Sequence, residues 1–355
     1  MAFLSRLPIE ELIARSALPA EELRCEEPLA KHCSFQVGGP AEYYWSASRE
    51  DVLQRLPLLC RELHIPLTLI GKGSNLLIAD RGLRGLVVQV EQSYSGIEEL
   101  ASQEREQVIA RLRQHSGRLK LPGDLDQAVF WRVYSGTSLR RLAQEAARES
   151  LTGLEAASGI PGSVGGAVFM NAGAYGQEMQ DVLCQSRAIH LKDGSRHEYW
   201  LEEQDFAYRH SIYKREPSLI LDALFVLYPD HQGAILQKMA DFKARRQQTQ
   251  PLDLPSAGSV FKRPEGHFAG KLIMDAGLQG YRIGGAEVST KHAGFIVNIQ
   301  KAKAEDVLAL IEHVQRVVKA QYGVCLEPEL RFLGWTEAEL GRLGLLAEGS
   351  SNGDK

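Results

Sequence analysis

The sequence has no surplus of positive charge and no basic run: 41 Lys and Arg stand against 45 Asp and Glu, a formal net charge of -4 over 355 residues. A nucleic-acid surface needs clustered cations to displace counterions, so no nucleic acid is expected and small molecules are the expected partners. The five cysteines form no CxxC pair, and an odd number of scattered thiols fits a reducing compartment better than a disulfide framework. The ten histidines form neither HExxH nor a Cys/His pairing at zinc-ligand spacing, so no metal is expected. No apolar run is long enough to span a bilayer. Residues 1–23 carry acids from Glu10 onward and lack the apolar core of a signal peptide. A cytoplasmic protein without membrane association is expected, of a length that supports two or three domains with their own cores.

One further absence is local. Residues 156–177 hold no charged side chain, in a chain that is 24% charged, and they hold six glycines. Glycine lets main-chain N–H groups approach a ligand but costs about 0.5–1 kcal/mol in a helix or strand relative to alanine. Such a cluster needs a compensating contact. That contact is a large ligand against the backbone or a tight packing crossover between two buried elements.

The rest of the chain alternates strands and helices. Residues 42–47 read as a strand, and Ser48 with Asp51 reads as a capping box for a helix with Val52, Leu56, Leu59, Cys60 and Leu63 on one face. Residues 66–70 form a second strand that opens into Gly71-Lys72-Gly73-Ser74-Asn75. Two glycines flanking a lysine exceed the needs of a two-residue turn, so this loop is a candidate to face a phosphate or another ligand. Residues 84–90 are a third strand. Residues 91–130 turn polar, with a helix expected over 97–112, and read as a surface insertion without a chemical motif. Ser138 opens a helix with Leu139, Leu142, Ala143 and Ala146 in register. Short strands follow to residue 227, and a polar helix over 233–248 connects to a last domain. There a short helix at 268–276, a strand at 294–299, an amphipathic helix at 303–321 and a strand at 324–333 are expected. A disordered tail is expected from Gly341 onward.

Chemistry-bearing residues cluster in three places. In the run from Ser256 to Pro264, alternation puts Ser259 and Phe261 on one face and Lys262 on the other, and Gly258 permits close approach just ahead of Ser259. This is not GxSxG, and no His and Asp arrangement accompanies it, so Ser259 is suited to donating a proton and not to attacking. In the last strand Glu327, Glu329 and Arg331 share a face, and physical reasoning alone does not separate the two glutamates. Tyr208-Arg209 supplies a guanidinium able to hold a carboxylate bidentately, though such a pair is also common on surfaces.

Seven segments occur in the order of one family. They are Ser34 to Ala41, Gly71 to Leu77, Gly159 through Gly176, Tyr208 to Ser211, Ala257 to Gly266, His292 to Asn298, and Glu327 to Arg331. Over residues 28–334 the chain resembles the UDP-N-acetylenolpyruvoylglucosamine reductase family, in its short-form branch without a tyrosine lid. The resemblance implies an α+β chain with an FAD-binding fold of the vanillyl-alcohol oxidase (PCMH) type in two subdomains, 28–90 and 131–230, plus a C-terminal α+β substrate-binding domain at 231–335. Residues 1–27 would be an N-terminal extension, 91–130 the polar insertion and 336–355 a flexible tail.

The resemblance also assigns roles. Gly71, Lys72, Gly73, Ser74 and Asn75, with Gly159, Ile160, Pro161, Gly162, Ser163, Gly165, Gly166 and Ala167, would hold the FAD pyrophosphate through main-chain N–H groups. The first loop contains no histidine to tether the flavin, so non-covalent FAD is expected. NADPH would reduce FAD, and flavin N5 would deliver hydride to the enolpyruvyl double bond of the UDP-sugar. Ser259 would protonate the neighbouring carbon, Arg209 and Glu329 would hold and polarise the enolpyruvyl group, and Glu329 would be protonated or share a proton with the substrate carboxylate. Tyr208, Lys262 and Arg263 would bind substrate, with Arg263 standing where relatives often carry Asn. The rivals are another FAD oxidoreductase of this fold, such as a sugar or lactone oxidase, and a non-catalytic flavin- or nucleotide-sugar-binding module.

Overall fold

The computed structural model describes residues 7–115 and 123–345. These described residues fall into two compact units, the first made of those within 7–24, 43–72 and 85–246, the second of those within 25–42, 73–84 and 247–345. The chain passes between them several times.

The first unit is built on an antiparallel sheet in the spatial order Arg196–Trp200, Leu183–His190, Ser218–Pro229, Val129–Tyr134 and Ile97–Glu99, with Leu151–Thr152 also on the central strand. That central strand is buried on both faces, which its near-continuous apolar run requires. Ala223, Phe225 and Leu227 pack with Leu139, Leu142, Ala143, Ala146, Val164 and Val168. Leu224, Val226 and Tyr228 point the other way and pack with Val108, Ile109 and Leu112. The polar stretch 91–130 thus supplies both an edge strand, Ile97–Glu99, and a covering helix, Ser102–His115, in place of a helix over 97–112. The helix does this with three apolar side chains, Val108, Ile109 and Leu112, which is why it reads as surface.

Helix Glu50–Glu62 buries Val52, Leu53, Leu56, Leu59 and Cys60, close to the expected face. The expected capping box is absent. Arg49 occupies the N-cap and its guanidinium binds Asp51 at 3.1 Å, while the Ser48 hydroxyl donates to Glu22 at 3.2 Å. Ser138 does cap helix Leu139–Arg148, accepting from the Arg141 amide at 3.2 Å. Strand Leu67–Ile70 lies parallel to Leu83–Gln89, pairing Leu67 with Leu86 and Ile70 with Gln89.

The second unit carries a three-stranded antiparallel sheet, Arg282–Ile283, Ala286–Val288 and Ile296–Asn298. Helix Ala304–Tyr322 contributes Val307, Leu310, Ile311, Val314 and Val318 to the interior. The Asp80 carboxylate accepts from the first amides of that helix, Ala304 at 2.9 Å and Glu305 at 3.1 Å, where an acidic group is favoured by the helix dipole. Leu76–Ile78 runs parallel to Arg331–Leu333, so the strand expected over 324–333 is regular only at its end. Within the expected tail, Thr336 caps a helix Glu337–Arg342, and residues 346–355 lie outside the described residues. No helix among the described residues is long and apolar enough to cross a membrane.

Candidate functional site

The strand Leu67–Ile70 delivers the first glycine loop, and the division between the two units falls between Lys72 and Gly73. The Gly71 carbonyl accepts from Gln89 Nε2 at 2.9 Å, and Gln89 Oε1 accepts in turn from the buried Tyr44 hydroxyl at 2.5 Å. A Cβ at Gly71 would lie 2.7 Å from Ser163 Oγ. The two glycine segments, 92 positions apart from Gly71 to Ser163, therefore meet backbone against side chain, and glycine is what allows it.

The second segment folds as a 3₁₀ turn, Ala156–Gly159, followed by a short helix, Val164–Met170. Its start is fixed to the turn after Val129–Tyr134. Val164 N–H donates to Thr137 O at 2.9 Å, Gly165 N–H donates to Ser135 O at 2.8 Å, and a Cβ at Gly165 would sit 2.9 Å from Ser135 Cβ. At Gly165 the packing explanation of the glycine cluster is the correct one. Elsewhere the backbone keeps open donors: among the described residues no acceptor is found for the amides of Lys72, Gly162 and Ser163. Uncharged backbone donors of this kind, gathered near a close loop contact, suit an anionic group such as a pyrophosphate. Arg246, which sequence reasoning missed, lays its guanidinium on this segment and donates through Nη1 to the Gly159 carbonyl.

Arg209 sits in the first unit, in a tight turn where Ala207 and His210 exchange backbone hydrogen bonds at 3.3 and 3.0 Å. Its φ is +55°, a left-handed conformation that a non-glycine residue holds at a cost of about 1–2 kcal/mol. Its guanidinium lies 5.1 Å from the centroid of the exposed Tyr208 ring. The turn is tied to the second glycine segment: buried Asn171 donates to Ala207 O at 3.1 Å, and the Ser211 hydroxyl donates to Phe169 O at 2.7 Å.

Ser259, Lys262, Arg263 and Glu329 lie in the second unit. The segment Ser259 to Lys262 is extended between two neighbours. On one side Ser259 bridges Phe295, with Val260 N–H donating to Gly294 O at 2.9 Å; on the other Phe261 bridges Pro328, with Glu329 N–H donating to Val260 O at 2.7 Å and Lys262 N–H to Glu327 O at 2.8 Å. Ser259 and Glu329 are thus carried on adjacent hydrogen-bonded segments. Val260 and Phe261 are both buried, so the alternation expected along this run is not clean. The two glutamates now differ: Glu327 is exposed and paired with Lys262 Nζ, whereas Glu329 is half-buried. Arg263 stacks 4.1 Å over the exposed Phe268 ring. Nearby, His292 Nδ1 accepts from Gly294 N–H at 3.2 Å, and burial holds its pKa below the usual histidine value. Its proton therefore resides on Nε2 in the neutral ring.

Among the described residues no group of three or more His, Cys, Asp or Glu is placed to hold a metal ion. Residues 118–199 match the family model described as "FAD binding domain", so the class is that of an FAD-binding flavoprotein of mixed α and β structure. Residues 250–333 match the model described as "UDP-N-acetylenolpyruvoylglucosamine reductase, C-terminal domain". The chain is 44% identical to the UDP-N-acetylenolpyruvoylglucosamine reductase of Lachnoclostridium phytofermentans over 90% of its own length and 96% of that protein. It is 45% identical to that of Agathobacter rectalis over 89% and 96%. A crystal structure of the reductase from Thermus caldophilus superposes with a TM-score of 0.68 at 34% identity, covering 88% of this chain and 98% of that one. The chain belongs to the UDP-N-acetylenolpyruvoylglucosamine reductase family.

Proposed function

We propose that the protein reduces the enolpyruvyl group of UDP-N-acetylenolpyruvoylglucosamine to the lactyl ether of UDP-N-acetylmuramate, with NADPH as hydride donor and non-covalent FAD as carrier, as a step of peptidoglycan precursor synthesis in the cytoplasm. The observation that carries this reading is the pairing of the Ser259 and Glu329 segments, with Glu329 N–H on Val260 O at 2.7 Å, inside the region that matches the family's C-terminal domain. FAD, when bound, supplies the hydride taken from NADPH.

The chain's own residues do the rest. The main-chain N–H groups within 71–75 and 159–167 that are left open by the fold hold the pyrophosphate, and the contact of Gly71 with Ser163 is the observation behind this. Reduction of the double bond needs one proton on the carbon beside the carboxylate. Ser259 gives that proton from its hydroxyl and recovers one from solvent. A serine serves here because the carbon it meets is far more basic than an alkoxide formed in water. Arg209 and Glu329 hold the enolpyruvyl carboxylate so that developing charge meets preorganised donors, Glu329 sharing a proton with it. Tyr208, Lys262 and Arg263 bind the remainder of the nucleotide sugar, and residues 231–335 form the substrate-binding part.

The test separates the half-reactions. Ser259→Ala leaves reduction of the flavin by NADPH nearly intact and slows product formation about 10²-fold or more. Equal impairment of both halves would make Ser259 a structural residue.

A further inference from the structure

The first glycine loop does more than present backbone. Asn75 Nδ2 donates to the Glu329 main-chain carbonyl at 3.1 Å, and the Asn75 carbonyl accepts from Arg331 N–H at 2.9 Å. These two bonds bracket the stretch from Glu329 to Arg331 and lead into the parallel pairing of Leu76, Leu77 and Ile78 with Arg331, Phe332 and Leu333. On its other side the Glu329 amide is committed to Val260 O at 2.7 Å. Both main-chain polar groups of Glu329 are therefore spent, one on the neighbour of Ser259 and one on a side chain 254 positions away. The loop that supplies Asn75 is itself held, since Gly73 O accepts from Ser34 N–H at 3.1 Å.

From this bracket we propose that the Asn75 side chain is a positioning group for Glu329, acting through its amide, and that only the main chain of Asn75, which Asn75→Ala leaves in place, belongs to the cofactor cradle. The inference rests on the reading of Glu329 given above. A backbone carbonyl clamped by an amide donor fixes the peptide that orients the Glu329 side chain, and that N–H of Asn75 is then spent on the protein and not on a ligand. With the donor gone, the carboxyl group loses its preset orientation and the step that uses it slows.

Three variants test this in the FAD-loaded enzyme. Asn75→Ala should keep the Kd for FAD, measured by flavin fluorescence, within about 3-fold and keep reduction by NADPH, while slowing the reduction of the enolpyruvyl substrate about 10-fold in kcat, the usual worth of one neutral hydrogen bond. Asn75→Asp keeps the shape but sets an ionised acceptor against the Glu329 carbonyl. Lowering the pH restores a hydroxyl donor, so its deficit relative to wild type should shrink on acidification, which a general loss of structure would not do. The double variant Asn75→Ala/Glu329→Gln should be no slower than Glu329→Gln alone, because a residue acting through another adds nothing once that one is removed.

A 10-fold or greater loss of FAD affinity, with normal substrate reduction at saturating FAD, would overturn the proposal and make Asn75 a cofactor contact. So would additive losses in the double variant, or an Asn75→Asp deficit independent of pH. A Glu329→Gln enzyme as fast as wild type would instead overturn the role of Glu329, and the positioning role with it. If Asn75→Ala does not fold, the isosteric Asp variant decides alone.

Discussion

Replacing Asp222 by Asn should strongly destabilise the first unit. Asp222 is fully buried on the central strand, where it accepts from Arg187 Nε at 3.0 and 2.9 Å, from Arg187 Nη2 at 2.7 Å and from Arg132 Nη1 at 2.9 Å. The amide keeps the shape, removes the charge and turns an N–H₂ toward a guanidinium. Breaking a buried pair in this way costs about 3–5 kcal/mol, because the opposing charge stays behind uncompensated. At roughly 2–4 °C per kcal/mol for a unit of this size, the melting temperature should fall by roughly 6–20 °C. The damage should reach the second glycine segment. Leu221, the preceding residue, accepts the Ser135 amide at 2.9 Å, and Ser135 O accepts the Gly165 amide at 2.8 Å. Urea unfolding of apo and FAD-loaded protein measures both effects, since ligand binding returns stability in proportion to its affinity. A triple change to Arg132→Met, Asp222→Leu and Arg187→Met should regain most of the loss. A loss under about 1 kcal/mol for Asp222→Asn would mean instead that the carboxylate is solvated and its pairs carry little weight.

Two further outcomes follow from burial. Cys25 and Cys325 are exposed, whereas Cys33, Cys60 and Cys184 are buried. Burial pushes the Cys60 thiol up to about 12 and raises those of Cys33 and Cys184 as well. A thiol reagent should modify Cys25 and Cys325 in the native protein and all five cysteines only after unfolding, and rapid native modification of Cys60 would contradict the packing around helix Glu50–Glu62. Glu155 precedes the 3₁₀ turn of the second glycine segment. Burial tends to raise its pKa, but the Thr152 hydroxyl at 2.6 Å, the Gly153 amide at 2.9 Å and the nearby Lys238 outweigh it, and the net shift is downward. A carboxylate with a lowered native pKa contributes stability that is present above the unfolded value of about 4.3 and is lost as pH falls through the native value. The stability gap between wild type and Glu155→Gln should therefore be constant from neutral pH to about 5 and close in more acid solution. A gap that persists to the acid limit would remove Glu155 from this role.

Local periodicity carries much of the fold. Val52, Leu56, Leu59 and Cys60, or Leu139, Leu142, Ala143 and Ala146, announce their helices and the faces those helices bury. The Ser138 cap is equally local. What fails in the sequence reading fails where the partner is remote. Ser48 does not cap its helix because Glu22 takes its hydroxyl. Helix Ser102–His115 covers a sheet with Val108, Ile109 and Leu112 alone, too few to show through its polar composition. The site divides in the same way. The two glycine segments are legible as departures in composition, but the meeting of Gly71 with Ser163, the Gln89 and Tyr44 support beneath it, the Arg246 cover of Gly159 and the link from Asn75 to Glu329 join positions far apart in the chain. No local pattern encodes such contacts, and only the fold supplies them.

The proposed reaction couples NADPH to the enolpyruvyl group of a UDP-sugar through bound FAD. The most direct test is an anaerobic mixture of the protein, FAD, NADPH and UDP-N-acetylenolpyruvoylglucosamine, followed by the loss of nicotinamide absorbance. NADPH should be consumed in a one-to-one ratio with the enolpyruvyl substrate, and without the sugar nucleotide consumption should stop once the flavin is reduced. NADPH loss that occurs only when oxygen is admitted, at a rate indifferent to the sugar nucleotide, would contradict this coupling.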